Sequence, residues 1–232
     1  MKKSYVRMAA AGLVALALTA CSWPPVEEEC TAYVSSYEQV TDFKMYADDG
    51  ADGRPYLSLM FEDPVEYGPY TAEFRQLSEA YGDHGYEREY YWLIGPRCFY
   101  PDCIRSIDIV SDQEFNGRPA GTSLADVVMV VGATAAPYVE SHYTTSFDWE
   151  HDVPSYYALL GERGRTVPQG VEPFVKPLAE FTSADLRLLL VAPFCLVFTE
   201  EPAVRQHTFS VTIRAADGYP RHAHEPVDFD NP

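Results

Sequence analysis

Short apolar runs that alternate with polar residues, interrupted every few positions by Gly, Pro or Asp, constrain this chain more than any other feature. The cleanest run is 207–214. Phe209, Val211 and Ile213 fall on one side and Thr208, Ser210, Thr212 and Arg214 on the other, the period-two pattern of a half-buried strand. Asp217-Gly218 then reads as a turn and 226–229 as a last short strand. Residues 30–40, 86–94 and 103–110 read as further strands, and 56–61 as a strand with apolar residues on both faces. Residues 186–191 and 194–198 are strongly apolar and broken by Pro193, which suggests a central strand or one that changes sheet.

Helical signals are few. Phe74, Leu77 and Tyr81 fit a helical stripe in the short segment 71–81. Ser123-Leu124-Ala125-Asp126 matches a helix-capping pattern with Asp in place of Glu, and Leu124, Val127, Val128 and Val131 follow at helical spacing, although the valines suit a strand as well. Residues 138–147 and 155–160 read as strand or loop pieces, and 161–177, rich in Gly and Pro, reads as a linker that crosses between sheets. The expectation is an all-β chain: a single immunoglobulin-like β-sandwich over 30–232 with one or two short helical inserts. The apolar fraction of 47% and the 17 tyrosines supply a packed core, most of the tyrosines being expected in half-buried sheet packing.

The N-terminus follows another logic. Lys2, Lys3 and Arg7 precede thirteen small or apolar residues, 8–20, a span too short to cross a bilayer as a helix. Leu18-Thr19-Ala20-Cys21 resembles the lipobox of bacterial lipoproteins. The resemblance implies that 1–20 is a signal peptide and that Cys21 carries a diacylglycerol and an N-acyl lipid, two anchoring signals of the kind stable attachment requires. Residues 21–29 then form a lipidated tether. Ser22 after the cysteine implies the outer membrane, and Glu27-Glu28-Glu29 leaves open a surface-exposed or a periplasmic-facing position.

Loss of 1–20 removes three basic residues and no acidic one, leaving 14 Lys plus Arg against 35 Asp plus Glu, a formal charge of −21. That excess disfavours nucleic acid and a direct electrostatic contact with anionic lipid, so the expected membrane contact is the anchor. Four cysteines follow Cys21. Cys98 and Cys103 flank a turn-like stretch and are expected to pair, which leaves Cys30 with Cys195. The spacing is not C-x-x-C, so zinc is disfavoured.

No Gly-x-Ser-x-Gly elbow is present. His222 and His224 share one face of a strand beside Glu225, two imidazoles that could hold a metal if a third ligand arrived. The Asp48–Asp52 loop fails the calcium-loop pattern, with Gly50 and Leu59 where ligands belong. Asp148 with Glu150, and Glu87 with Glu89, have strand spacing but no sign of a shared cleft. Trp149, in the polar run Asp148-Trp149-Glu150-His151, is the candidate ligand contact.

The segment 104–115 (IRSIDIVSDQEF), the following PAGTSLAD of 119–126 and the strand HTFSVTI of 207–213 resemble outer-membrane lipoproteins of Bacteroidota in families designated as domains of unknown function. The resemblance covers about a third of the mature chain and implies location and fold, with no catalytic residue and no cofactor beyond the lipid. The expected function is a non-enzymatic, lipid-anchored binding or scaffolding module with a protein or glycan partner. The alternatives are a glycan-binding accessory protein and an envelope hydrolase.

Overall fold

A computed structural model describes residues 31–86 and 95–230. Cys21, the signal peptide, the tether, Cys30, Glu87, Glu89 and all of the expected 86–94 strand except Tyr86 lie outside them. The described chain is mostly β, and its strands form two sheets. The larger contains β1 (Ser36–Gln39), β2 (Asp42–Asp49), β3 (Pro55–Glu62), β4 (Val65–Tyr67), β5 (Arg97–Phe99), β7 (Val128–Thr134), β8 (Glu172–Pro177) and β9 (Leu189–Phe198). The smaller is antiparallel, in the order β11 (Pro220–Asp228), β10 (Gln206–Ala215), β6 (Ile104–Ser111). Three helices, α1 (Ala72–Tyr81), α2 (Ala136–Glu140) and α3 (Ser155–Ala158), and four 3-10 turns complete the described part, against the one or two inserts expected. No helix among the described residues is long and apolar enough to cross a membrane.

β9 organises the larger sheet by pairing with β3, β5 and β7. Its side chains enter two separate cores. Phe194, Leu196 and Phe198 face a core shared with Phe209, Val211 and Ile213 of β10, whereas Cys195 and Val197 face one shared with Tyr37, Phe74 and Tyr157. Before Pro193 the alternation is shifted by one: Leu189 and Val191 face the first core. The pairing with β7 slips at the same place, between Gly132 and Thr134. An odd number of extra residues in one strand reverses which face each side chain meets, and proline, having no N–H to give, is tolerated there. Gly132 lies under this bulge, where a Cβ would stand 3.0 Å from the Pro193 carbonyl oxygen. The two apolar stretches separated by Pro193 are thus one bulged central strand.

The smaller sheet covers the first core as its sequence periodicity requires. Phe209, Val211 and Ile213 are fully buried and Thr208, Ser210 and Thr212 are half-buried on the other side. The β10–β11 hairpin closes at Gly218, with φ +81°, and Asp217 receives two bonds from Arg221 at 2.6 and 2.5 Å. β11 is longer than expected, pairing along the whole of β10.

Helices and loops cover the second core. Thr71 caps α1, its Oγ1 accepting from Phe74 N at 3.2 Å, and Gly82, with φ +72°, ends it. Phe74, Leu77 and Tyr81 line the packed side, as the stripe predicted. The expected helix at 124–131 is reduced to one 3-10 turn, Ala125–Val127, after which the valines become β7. Their β-branched side chains favour the pleat, where alternate residues enter the two cores. The stretch 161–177 is not a crossing linker: its second half is β8, paired among the described residues to β7 alone. Pro173 and Pro177 are accepted because the strand has only one partner.

The cysteine expectation needs correction. Cys98, Cys103 and Cys195 are free and buried, and none bridges another. Cys98 packs into the second core and Cys103 into the first, so the two thiols lie on opposite sides of the sheet, whereas a bridge needs their Cβ atoms about 4 Å apart. Burial pushes the Cys103 and Cys195 thiols up to about 12.

Phe209 is the sharpest test of this packing. Phe209→Ala is expected to lower stability by about 3–5 kcal/mol, read by urea unfolding. A loss below about 1 kcal/mol would show that the small sheet does not seal the first core.

Candidate functional site

The helical layer leaves a set of adjoining grooves on the surface. Two segments wall them, 146–151 and 165–170. Each is held by side chains, because neither belongs to a sheet. In the first, Asp148 makes the turn: its Oδ1 accepts from Glu150 N at 2.9 Å and His151 N at 3.2 Å, and its Oδ2 lies 3.0 Å from His151 Nδ1. The bonds from the Glu150 backbone and the His151 ring hold the Asp148 carboxyl below the usual carboxylate range. The turn presents Trp149, half-buried, between Phe147 (4.9 Å between centroids, 72°) and Tyr157 (5.5 Å, 49°).

The second wall rests on tyrosines. Tyr157 donates to Gly164 O at 3.0 Å, and Tyr33 donates to Gln169 O. Tyr33 sits at 5.2 Å from Tyr86, 4.9 Å from Tyr138 and 6.4 Å from Tyr143. Burial, before any neighbouring charge, raises the Tyr33 and Tyr157 hydroxyls above their ordinary value, so both remain donors. Beneath them Asp83, fully buried, accepts from Tyr33 N at 2.8 Å, Val34 N at 3.0 Å and the Tyr143 hydroxyl at 2.9 Å. A buried carboxylate is tolerated only with such a shell of donors. The shell ties the start of the described chain to the end of α1 and the turn after α2.

Trp149 stands between two of the grooves. One, of about 700 Å³, is lined by Phe147, Glu150, Arg165, Gln169 and Gly170. The other, of about 400 Å³, is lined by His151, Tyr157, Glu162 and Arg165. A third, of about 290 Å³, shares Phe147 and Gly170 with the first and adds Tyr138, Asp148 and Asp152. Aromatic faces beside carboxylate, guanidinium and amide groups can stack on an apolar ring face and hydrogen-bond its polar edge.

Another cavity, of about 750 Å³, lies elsewhere, over Asp112, Gln206, His207, Thr208 and Asp228. Its polar atoms are largely committed. Asp112 accepts from Thr208 N at 2.7 Å, and Gln206 donates to Asp228 at 3.2 Å. His207 is buried, with Nε2 2.8 Å from Val204 O and Nδ1 2.6 Å from Ser111 Oγ. A carbonyl can only accept, so Nε2 carries a proton and donates to Val204 O. The ring is stacked on Phe209 at 5.3 Å and flanked by Phe115 and Phe229. This serine–histidine pair escaped the sequence reading because 96 residues separate its members.

The other sequence candidates separate. His222 and His224 do share one exposed face of β11, but Glu225 points to the opposite face, where its Oε1 accepts from Ala47 N at 3.2 Å. No group of three possible ligands is found among the described residues. In the Asp48–Asp52 loop, Asp48 takes Ser58 Oγ at 2.5 Å and an Arg163 guanidinium, while Asp52 takes Arg54 Nε at 2.8 Å. Asp148 is spent on its turn and forms no cleft pair with Glu150.

Gly170 makes the walls' fit testable. Its φ is +88°, and a Cβ would stand 2.5 Å from the Tyr138 ring. Gly170→Ala is expected to cost about 1–3 kcal/mol and to alter the near-ultraviolet tyrosine signal, checked by thermal unfolding and circular dichroism.

Comparison with family models, with curated proteins and with solved structures finds no match, so the reading of this site rests on its own geometry.

Proposed function

We propose that this protein is a lipid-anchored, non-enzymatic binding module of the bacterial cell envelope, and that its ligand, a glycan, lies in the grooves beside Trp149. The observation that carries the ligand reading is the pair Phe147–Trp149, partly open to solvent, backed by the buried Tyr157 ring and bordered by Glu150, Arg165 and Gln169. A pyranose offers an apolar face to stack and a ring of hydroxyls to bond, and that pairing of aromatic and polar groups suits it.

The non-enzymatic part is supported by what the polar groups already do. Ser111 and His207 are buried and bonded to each other, with the other ring nitrogen on a backbone carbonyl. Asp148 is held as a turn-forming acceptor. A nucleophile and its base must also be open to a substrate, and the Ser111 and His207 side chains are both buried. These commitments, among the described residues, support the binding reading over the envelope hydrolase.

The anchor belongs to the proposal through Leu18-Thr19-Ala20-Cys21, with the outer membrane as the site of attachment. We also carry the immunoglobulin-like description of the sandwich here. Its support is the packing of the antiparallel β6–β10–β11 sheet over one face of the larger sheet.

Two experiments test the reading separately. In a glycan-array screen of the detergent-solubilised protein, Trp149→Ala is expected to weaken a positive interaction by about tenfold or more. No binding to any envelope or dietary glycan would remove the glycan as ligand. Cys21→Ala is expected to abolish lipid labelling and membrane fractionation. A variant that stays membrane-bound would remove the anchor.

A further inference from the structure

The part of the small sheet's outer face around Ser210 and Thr212 lines none of the grooves described above. β11 places His222 and His224 two residues apart, so both rings stand on that face. On the adjoining strand Thr212 is paired with His222 and Ser210 with His224. Thr212 Oγ1 lies 3.0 Å from His222 Nδ1, and Ser210 Oγ lies 2.7 Å from His224 Nδ1. Two neighbouring imidazoles are thus held at the same ring nitrogen, by the same kind of group, from the same strand. Both are exposed, and neither Nε2 has a protein partner among the described residues.

We infer that His222 and His224 form a two-imidazole chelate for a borderline divalent transition-metal ion, copper(II) above all, with water filling the remaining positions. Alternate residues of a strand lie about 6.7 Å apart along it, and two metal–imidazole bonds of about 2.0 Å span at most about 4 Å, so the two exposed rings must lean toward each other to share one ion. A ligating histidine is oriented by the bond its other nitrogen makes. Here a hydroxyl able to accept Nδ1–H leaves the Nε2 lone pair for the ion.

The donor set fixes the class. Imidazole and water suit copper, nickel and zinc, and the order of divalent affinities peaks at copper. No carboxylate joins the pair to favour calcium or magnesium, since Glu225 faces away. Asp108, in the Thr212–His222 row, and Arg214, in the next, are the charged groups of β6 and β10 on this face. The chain's formal charge of −18 draws cations toward the surface as a whole. The site has two protein ligands and stays open, so it binds or presents the ion and does not staple the fold.

The test is titration of the full chain, purified in detergent, with copper(II) chloride, followed by calorimetry and electron paramagnetic resonance. One ion per chain with two imidazole nitrogens in its spectrum is expected. Nickel and zinc should bind more weakly, and calcium and magnesium not at all. His222→Ala and His224→Ala are each expected to weaken copper binding at least tenfold. Both side chains are exposed, and circular dichroism checks that the variants fold. The double variant Ser210→Ala/Thr212→Val keeps both ligands and removes only their supports. It is expected to weaken binding by about 10- to 100-fold. Fewer than two coordinated imidazoles, or an affinity unchanged in His222→Ala/His224→Ala, overturns the inference and assigns any bound copper to the other histidines or the N-terminus.

Discussion

A strand that is apolar on both faces cannot lie at a surface, and β9 is such a strand. Phe194, Leu196 and Phe198 need cover on one side, Cys195 and Val197 on the other. Each buried side chain of this size contributes about 1.5–3 kcal/mol when removed from water, so neither face can be left open without a large loss. The remainder of the molecule is arranged as two unlike answers to that demand. One face receives a regular antiparallel sheet. The other receives short helices and loops.

The second answer has a chemical cost that the first avoids. A sheet satisfies its own backbone, whereas loops lying on a core leave N–H and C=O groups that must find partners. Asp83 meets the N–H groups of Tyr33 and Val34, and the hydroxyls of Tyr33 and Tyr157 meet the carbonyls of Gln169 and Gly164. The tyrosines are suited to this because each brings a large apolar ring and one hydrogen-bonding atom. Irregular cover also packs less evenly than a sheet. The grooves around Trp149 are the gaps between segments fixed in this way, and that is why the candidate ligand surface lies on this side.

Much of the sheet could be read from the sequence and much of the helical layer could not. The 207–214 strand was legible because one of its faces is wet, and strict alternation follows. The two apolar stretches around Pro193 gave the central strand, but the bulge that joins them, where β9 advances five residues against two of β7, has no signature except the proline. β8 was hidden for the opposite reason: all six of its residues are half-buried, two are prolines, and its turn-forming neighbours dominate the pattern. Trp149 could be singled out by its polar neighbours, whereas the tyrosine cluster and the Ser111–His207 pair depend on contacts across tens of residues that no local pattern records. The 17 tyrosines suggested sheet packing, and Tyr33, Tyr86, Tyr138 and Tyr143 instead hold loops together.

The burial of three unbridged thiols on two sides of one sheet bears on the order of events during maturation. Thiol–disulfide exchange proceeds through the thiolate, and burial lifts Cys103 and Cys195 to about 12, which disfavours exchange at these two thiols in the folded protein. The unfolded chain has no such protection. There Cys98 and Cys103, four residues apart in between, can meet freely, and a bond between them would draw to one side two residues that the native sheet sends to opposite sides. In an oxidising compartment, where exposed thiols pair, a delay in forming the central strand would thus be a chemical hazard as well as a physical one.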